Sequence, residues 1–317
     1  MTTTTAPPAR ALSIDAALAA RVHRGAICAA VHSSFPRVVN LVSADGSLTS
    51  LCARSLDDAP GSVRADVPAW PAERWAPGRA VLVAPDGVTL SGDRARALTF
   101  DRPTRWRATR APLPADPAAL AARVALLDAL VAARGVPGGA LPASAPETTP
   151  GRRASIDPFA AAVAARVRDG VDAIERGERA GDRATVARAV AALLGLGPGL
   201  TPTGDDVLTG ILLVAAQPGS RIRFVPEALA AELAARPDAT TVVSRTTLLE
   251  ALRGRARQRL MILLERLAEP FPGDRSSDAR LRRAAADVLG IGHTSGTDIL
   301  SGIVTGLRLE RERRGRA

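Results

Sequence analysis

Two segments of the sequence combine a glycine-rich turn with hydroxyl and carboxyl side chains at matching positions. The first segment, Leu194–Ala216, reads LGLGPGLTPTGDDVLTGILLVAA, and the second, Leu289–Leu307, reads LGIGHTSGTDILSGIVTGL. When Gly204 is aligned with Gly296, the aspartate, leucine and glycine positions that follow also match. A glycine-rich turn that leads into a helix points backbone N–H groups at an anion. The repeat therefore predicts two helix N-termini that converge on one anionic ligand.

Helix capping is an alternative explanation for part of this pattern. Thr203 with Asp206, and Ser295 with Asp298, have the spacing of capping boxes with Asp in the place of Glu or Gln. Capping explains neither the glycine-rich loops nor the additional carboxylate of Asp205. Adjacent carboxylates repel a phosphate unless something positive or a donor lies beside them. A bound cation, an arginine or the N–H groups of an amide substrate would each serve, and the sequence leaves these three open.

Composition and charge exclude several classes of protein. All basic residues are arginine, the net charge is +10, and the arginines are scattered among few aromatic residues. A nucleic-acid-binding surface would concentrate its charge and interleave aromatic side chains, so we expect no nucleic-acid partner. No apolar run has the length of a membrane helix and no signal peptide is recognisable, which predicts a cytoplasmic protein without a membrane partner. Cys28 and Cys52 are too few for a disulfide framework, and we interpret both as small buried residues.

The first third of the chain has the pattern of short strands. Asp45-Gly46 and the turn at Pro85-Asp86-Gly87 each lie between β-prone runs, which is typical of hairpins. A helix is predicted near Ser13–Arg24. We predict a disordered tail over residues 1–12 and a β-rich domain, a small barrel or sandwich, over residues 13–112.

The rest of the chain, residues 115–317, has a helical period. Asp116-Pro117 begins a helix that ends at Gly135, and Asp157-Pro158 begins another. Val136–Ser155 has no period and is interpreted as a loop or linker. The predicted fold class is α+β, with a small β-rich domain followed by an all-α domain that carries both glycine-rich motifs.

The strings GLGPGLTPTGDDVLTG and GHTSGTDILSG resemble the signature of the AllH-like family. The similarity covers Ala189–Leu309 well and the β-rich part loosely, through Asn40 and the Pro60-Gly61 turn. It implies a subunit of an oxamate carbamoyltransferase, which interconverts oxamate plus carbamoyl phosphate with oxalurate plus phosphate. It also implies other carbamoyltransferase subunits as partners and a small anionic substrate. The implied chemistry requires no metal and no cofactor.

Carbamoyl transfer needs donors for the phosphate and an acceptor for the protons of the attacking nitrogen. The candidate catalytic residues are Asp205, Asp206, Asp298 and His293. The candidate substrate- and phosphate-binding residues are Gly197, Gly199, Thr201, Thr203, Gly204, Ser295, Gly296, Asn40, Ser244 and Arg245. No residue is predicted to bind a metal.

Several of these residues have a structural alternative. His293 is equally well explained as a solvated loop residue. N-capping of a helix at Leu248 explains Ser244 equally well, and a hydrogen-bonded core amide is the alternative for Asn40. Gly210 and Gly302 could serve only to let two helices pack closely.

Two alternative functions remain open. Gly-Asp-Asp followed by a later Thr-Asp is also similar to magnesium-dependent ADP-ribosylglycohydrolases, in which Asp and Thr side chains hold two cations. The chain could instead be a non-catalytic scaffold subunit of a carbamoyltransferase complex.

Overall fold

The computed structural model describes residues 8–93, 95–141, 157–269 and 275–315. The chain divides into two compact units, Met1–Ala108 and Thr109–Ala317. The first strand begins at Ala9, so residues 9–12, predicted to lie in a disordered tail, belong to the sheet. The rest of that predicted tail, except residue 8, lies outside the described residues, as do residues 142–155 of the predicted linker.

The N-terminal unit is an eight-stranded β-barrel with one additional strand and one helix. Its elements are β1 (Ala9–Asp15), α1 (Ala16–Arg24), β2 (Ile27–Phe35), β3 (Val38–Ser43), β4 (Leu48–Ala53), β5 (Ser62–Ala65), β6 (Ala80–Ala84), β7 (Gly87–Leu90), β8 (Leu98–Thr99) and β9 (Thr104–Trp106). The strand order is β5-β4-β3-β2-β6-β7-β8-β1, and antiparallel pairing of β1 with β5 closes the barrel. Strand β9 pairs in parallel with β1. The prediction of a barrel or sandwich is thus confirmed as a barrel.

Local turn chemistry produces the predicted hairpins. Gly46 has a φ of +75°, and the Asp45 side chain accepts a hydrogen bond from Ser47 N at 3.0 Å, which joins β3 to β4. The helix predicted from Ser13 begins instead at Ala16, because Asp15 caps it by accepting from Leu18 N and the preceding residues pair in β1.

Fully buried aliphatic side chains form the core of this unit; they include Val39, Leu41, Leu51, Val63 and Val83. Cys52 is buried as predicted. Cys28 is exposed, so the interpretation of both cysteines as buried residues is wrong for Cys28.

The C-terminal unit is helical, and no strand occurs in residues 157–269 or 275–315. Its helices are α2 (Pro117–Arg134), α3 (Pro158–Ala180), α4 (Arg183–Leu193), α5 (Thr203–Ala215), α6 (Phe224–Ala235), α7 (Val242–Leu252), α8 (Gln258–Ala268), α9 (Arg275–Leu289) and α10 (Ser295–Arg314). Asp116 and Asp157 cap α2 and α3 through their side chains, as the sequence predicts. None of the described helices has both the length and the hydropathy that a membrane-spanning helix requires.

Helix α5 is the centre of this unit. Every residue from Thr203 to Val214 is buried, and α10 is its principal neighbour. A helix that is buried on all sides positions its polar residues in the interior, so the carboxylates of its first turn are held inside the protein.

Candidate functional site

The two glycine-rich motifs form equivalent loop–helix units. Gly204 N donates to Leu196 O at 2.8 Å, and Gly296 N donates to Ile291 O at 2.9 Å. A side chain on either glycine would overlap a carbonyl oxygen of the preceding helix, α4 in the first unit and α9 in the second. The internal repeat in the sequence therefore corresponds to a repeat in the structure.

Helices α5 and α10 cross at two glycines that occupy equivalent positions in the motifs. A Cβ atom on Gly302 would lie 3.0 Å from Gly210 Cα and would overlap the carbonyl oxygen of Val207. A Cβ atom on Gly210 would overlap the carbonyl oxygen of Ile299. These glycines allow the two helix backbones to approach as closely as they do, which is the structural alternative that the sequence offered for them.

The two loops meet in the folded chain. Thr201 Oγ1 in the first loop lies 3.1 Å from Ser295 Oγ at the start of α10. The sequence predicts that the motifs converge, and this contact brings Thr201, Thr203, Ser295 and Gly296 into one region of the helical unit.

Asp206 lies at this junction with one oxygen unsatisfied. Its side chain is 3% exposed, and its Oδ2 atom is buried without a hydrogen-bond partner among the described residues. Burial raises the pKa of Asp206 well above its ordinary value, and the nearby negative charge of Asp298 also raises it. The hydroxyls of Ser295 and Thr201 act in the opposite direction on this pKa. The two carboxylates are therefore within electrostatic range of each other.

Asp298 is the equivalent residue of the second motif, and it too has one oxygen without a hydrogen-bond partner among the described residues. It is fully buried, Oδ1 accepts a hydrogen bond from Ala140 N at 2.7 Å, and Oδ2 has no partner among the described residues. Burial raises the pKa of Asp298 to about 6, although the Ala140 N–H and the hydroxyls of Thr294 and Thr203 lower it. No arginine or histidine of the described residues forms an ion pair with Asp206 or Asp298. Two buried carboxylates thus interact electrostatically and have no positive partner among the described residues.

Asp205 differs from its neighbour because all of its described contacts are donors. It accepts hydrogen bonds from Gly195 N at 2.7 Å, from Ser244 Oγ at 2.6 Å and from the hydroxyl of Thr240. It is fully buried, and burial raises its pKa. These contacts tie the start of the first loop to the start of α7, and each of the three donors is supplied by the protein itself.

The capping interpretations do not describe what the structure shows. Thr203 and Ser295 are the first residues of α5 and α10, and neither helix has a side-chain cap. Helix α7 begins at Val242, not at Leu248, and its cap is Thr241, which accepts from Ser244 N at 3.0 Å. Ser244 is therefore not an N-cap.

Several N–H groups of the first loop are engaged within the protein. Gly195 N donates to Asp205, Leu196 N to Leu193 O, and Gly204 N to Leu196 O. The N–H of Gly204, predicted to bind phosphate, thus has an acceptor within the loop. The N–H groups that have no acceptor among the described residues include those of Gly197, Gly199, Thr201 and Thr203.

The two loop glycines have different surroundings. Gly197 has a φ of +115°, and a Cβ atom there would lie 2.8 Å from Thr203 N. Gly199 has a φ of +95°, is exposed and has no atom within 4 Å of such a Cβ position. Gly197 therefore lets the loop fold back over the start of α5, and the open side of the loop lies at Gly199.

The other predicted site residues are less closely associated with the carboxylates. His293 is exposed, which fits the interpretation as a solvated loop residue. Arg245 is half-buried in α7, and its Nε atom has no partner among the described residues. Asn40 belongs to the β-barrel unit, where its amide donates to Ser33 Oγ at 3.0 Å and accepts from Ser50 Oγ at 2.8 Å. Asn40 is therefore a hydrogen-bonded core amide.

A loop after α2 contributes contacts that the sequence analysis did not assign to the site. Val136 N donates to Thr297 Oγ1 at 2.9 Å, and Ala140 N donates to Asp298. The backbone at Gly139 lies so close that a Cβ atom would overlap the Asp298 carboxylate. The pair Gly138-Gly139 was the available signal, since adjacent glycines permit a close backbone approach.

Comparison with known proteins agrees with the resemblance seen in the sequence. The AllH family N-terminal domain matches residues 10–104, and the family described as oxamate carbamoyltransferase subunit AllH matches residues 193–307. No solved structure matches the chain. The second match contains both glycine-rich motifs, and together the two matches cover most of the chain. This chain belongs to the AllH family.

Proposed function

We propose that this chain is a carbamoyltransferase subunit that binds carbamoyl phosphate, with oxamate or a related amide as acceptor, where its two glycine-rich motifs meet. The observation that carries the proposal is the contact of Thr201 with Ser295, whose hydroxyls both act on Asp206. Two loop–helix units that could have been separate helix starts share one centre. Membership of the AllH family supports the same assignment.

The open side of the first loop is the proposed phosphate site. The unengaged N–H groups of Gly199 and Thr201 belong to a turn that leads directly into α5, and such a turn favours an anion. The Thr201 hydroxyl adds a donor. Arg245 supplies a positive charge without a described carboxylate partner on α7, whose Thr241 hydroxyl bonds to the loop at Leu200 O.

The carboxylate pair is the proposed reacting end of the site. Of the three partners that the sequence left open, no arginine pairs with Asp206 or Asp298 among the described residues. A carbamoyl group and an oxamate amide both carry N–H donors that match oxygens lacking a donor. When the acceptor nitrogen bonds to the carbamoyl carbon and the phosphate leaves, that nitrogen releases a proton, which a carboxylate of raised pKa can accept.

The hydrolase alternative has less support. Two cations need a larger set of carboxylate or histidine ligands, and no group of three or more such residues suited to a metal occurs in the described parts of the chain. Asp205, the third carboxylate of the motifs, is already engaged by three donors.

The test is to assay carbamoyl transfer from carbamoyl phosphate to oxamate with the purified chain, alone and mixed with the other subunits of such an enzyme. We expect activity that requires this chain and that falls by about two to four orders of magnitude in Asp206→Asn and Asp298→Asn. Asp287→Asn, an exposed carboxylate at the end of α9, is the matched control.

Two results would contradict the proposal. A complex that transfers carbamoyl groups equally well with both Asn variants would make the chain a scaffold. A mixture that shows no transfer, while the chain hydrolyses ADP-ribosyl bonds, would favour the hydrolase.

A further inference from the structure

The strongest unexplained feature of the helical unit is a pair of unsatisfied oxygens. Oδ2 of Asp206 and Oδ2 of Asp298 are both buried, and neither has a hydrogen-bond partner among the described residues. Both side chains are more than nine-tenths buried. A buried polar atom without a partner is rare in proteins and often marks the position of a ligand or ion.

The two carboxylates lie close enough to repel each other. The negative charge of Asp298 acts directly on Asp206, and no described arginine or histidine is paired with either group. Other acidic residues of this unit have such partners. Glu310 and Glu178, also fully buried, form ion pairs with Arg314 and Arg313. These two carboxylates have arginine partners, and the fully buried Asp205 has three hydrogen-bond donors, whereas Asp206 and Asp298 each keep one oxygen without a partner among the described residues.

The side-chain groups that act on the two carboxylates are hydroxyls, and the one described backbone contact is the Ala140 N–H on Asp298 Oδ1. The hydroxyls that act on the two carboxylates belong to Thr201, Ser295, Thr203 and Thr294. Carboxylate and hydroxyl oxygens suit hard cations, whereas nitrogen or sulfur ligands suit softer ones. Magnesium in particular is bound by one or two carboxylates, keeps several waters, and takes further ligands from substrate phosphates. Two carboxylates are therefore a sufficient protein contribution.

We propose that Asp206 and Asp298 bind one divalent hard cation, magnesium, through their free Oδ2 atoms. Amide N–H donors carry only partial charge, whereas a cation offsets both carboxylates whether or not substrate is bound. With Oδ2 of both residues on the cation, neither carboxylate is the base for the attacking nitrogen, and the leaving phosphate takes that proton instead. The cation also removes the repulsion between the carboxylates and a neighbouring phosphate. This last role rests on the proposed function, but the cation site itself does not. The proposal departs from the expectation, drawn from the family resemblance, that no metal is required.

The full-length chain is titrated with Mn²⁺, a substitute for Mg²⁺ at oxygen sites, and free Mn²⁺ is counted by electron paramagnetic resonance. We expect one site, from which excess Mg²⁺ displaces Mn²⁺. Asp206→Asn and Asp298→Asn should each weaken binding at least about tenfold, the loss that even an outer partner of a metal ligand causes. Asp287→Asn should bind as the wild type does. Circular dichroism checks that each variant is folded.

A second measurement does not depend on any variant. The Mn²⁺ titration of the wild type is repeated at pH 8 with and without inorganic phosphate, because magnesium sites often include a phosphate ligand. Manganese bound only when inorganic phosphate is present also supports the site, with phosphate as one ligand. No bound Mn²⁺ at pH 8, with or without phosphate, would overturn it, as would equal binding by both Asn variants. Carbamoyl transfer in excess chelator would contradict the role of the cation beside the phosphate and leave the proposed function standing. Cation binding by a chain that supports no carbamoyl transfer would contradict the proposed function and support the cation site.

Discussion

Thr203 and Ser295 occupy equivalent positions in the two motifs, and each places its hydroxyl beside the aspartate of the other motif. Ser295 stabilises the charged form of Asp206, and Thr203 stabilises that of Asp298. The two loop–helix units are therefore joined reciprocally at the carboxylates, as well as at the glycines where α5 and α10 cross.

Exchange of these hydroxyls for apolar groups should raise two different pKa values. Ser295→Ala should raise the pKa of Asp206 and Thr203→Val that of Asp298, because each change removes a hydrogen bond to the charged form. Carboxyl carbon chemical shifts, followed through a pH titration, measure each group separately. Thr305→Val, whose hydroxyl bonds to Ser301 O in α10, is the control. If Ser295→Ala moved only the pKa of Asp298, the reciprocal arrangement would be wrong.

The stability of the metal-free chain should fall between pH 4 and pH 6. The pKa of Asp298 is raised from 3.8 to about 6, so the unfolded chain loses this proton at lower pH than the folded chain does. The associated stability is fully present below pH 3.8 and is lost as the pH rises through 6, by an amount on the order of 3 kcal/mol. The raised pKa of Asp206 extends the fall in the same direction.

Asp298→Asn should flatten this profile in urea denaturation at a series of pH values. Addition of Mg²⁺ to the wild type should restore stability above pH 6, where the carboxylates are charged. An unchanged pH profile in Asp298→Asn would show that this carboxyl group titrates normally in the folded chain.

The site was partly predictable because each of its two halves is a continuous sequence motif, and the two motifs resemble each other. The match of Gly204 to Gly296 fixes which positions are equivalent, and a helix start places Asp206 and Asp298 in first turns. The barrel and the helical unit were predictable for the same reason, since hairpin turns and aspartate caps are short-range signals.

What could not be predicted depends on contacts between residues that are distant in sequence. The sequence predicts Asp205 as a third catalytic carboxylate. Its hydrogen bonds from Thr240 and Ser244, which follow it by 35 and 39 residues, could not be predicted. Ala140 reaches Asp298 across 158 residues. Strand β1 was missed because its partners, β5, β8 and β9, all come later in the chain.

Substitution at the helix crossing should be destabilising even though it adds only a methyl group. Gly302→Ala forces a Cβ atom into the Val207 carbonyl oxygen and against Gly210 Cα, both backbone atoms that cannot rotate away. We expect a loss of about 1–3 kcal/mol in the free energy of unfolding, the usual effect of overpacking. Gly290→Ala is the control, because its nearest atom would lie 3.5 Å away. Equal stability of the two variants in urea would mean that α5 and α10 can separate at little cost.

The last prediction separates the two adjacent aspartates of the first motif. Asp205→Ala leaves Gly195 N and the hydroxyls of Thr240 and Ser244 without their shared acceptor. Each buried donor left without an acceptor costs about 1–3 kcal/mol, so we expect a clear loss in the free energy of unfolding. Asp206→Asn removes a charge that has no positive partner in the described residues, so the metal-free variant should be at least as stable as the wild type.

Phosphate binding, measured by calorimetry with and without saturating Mg²⁺, should also distinguish the Asp205 and Asp206 variants. Asp205→Ala should weaken it because the first loop loses its anchor to α7, and Ser244→Ala, which removes one of three donors, should weaken it less. Asp206→Asn should weaken it only when the metal is present, since the amide neither binds the cation nor repels the anion. An Asp206→Asn variant that binds phosphate more tightly with Mg²⁺ than without it would contradict the assignment of the cation to this carboxylate.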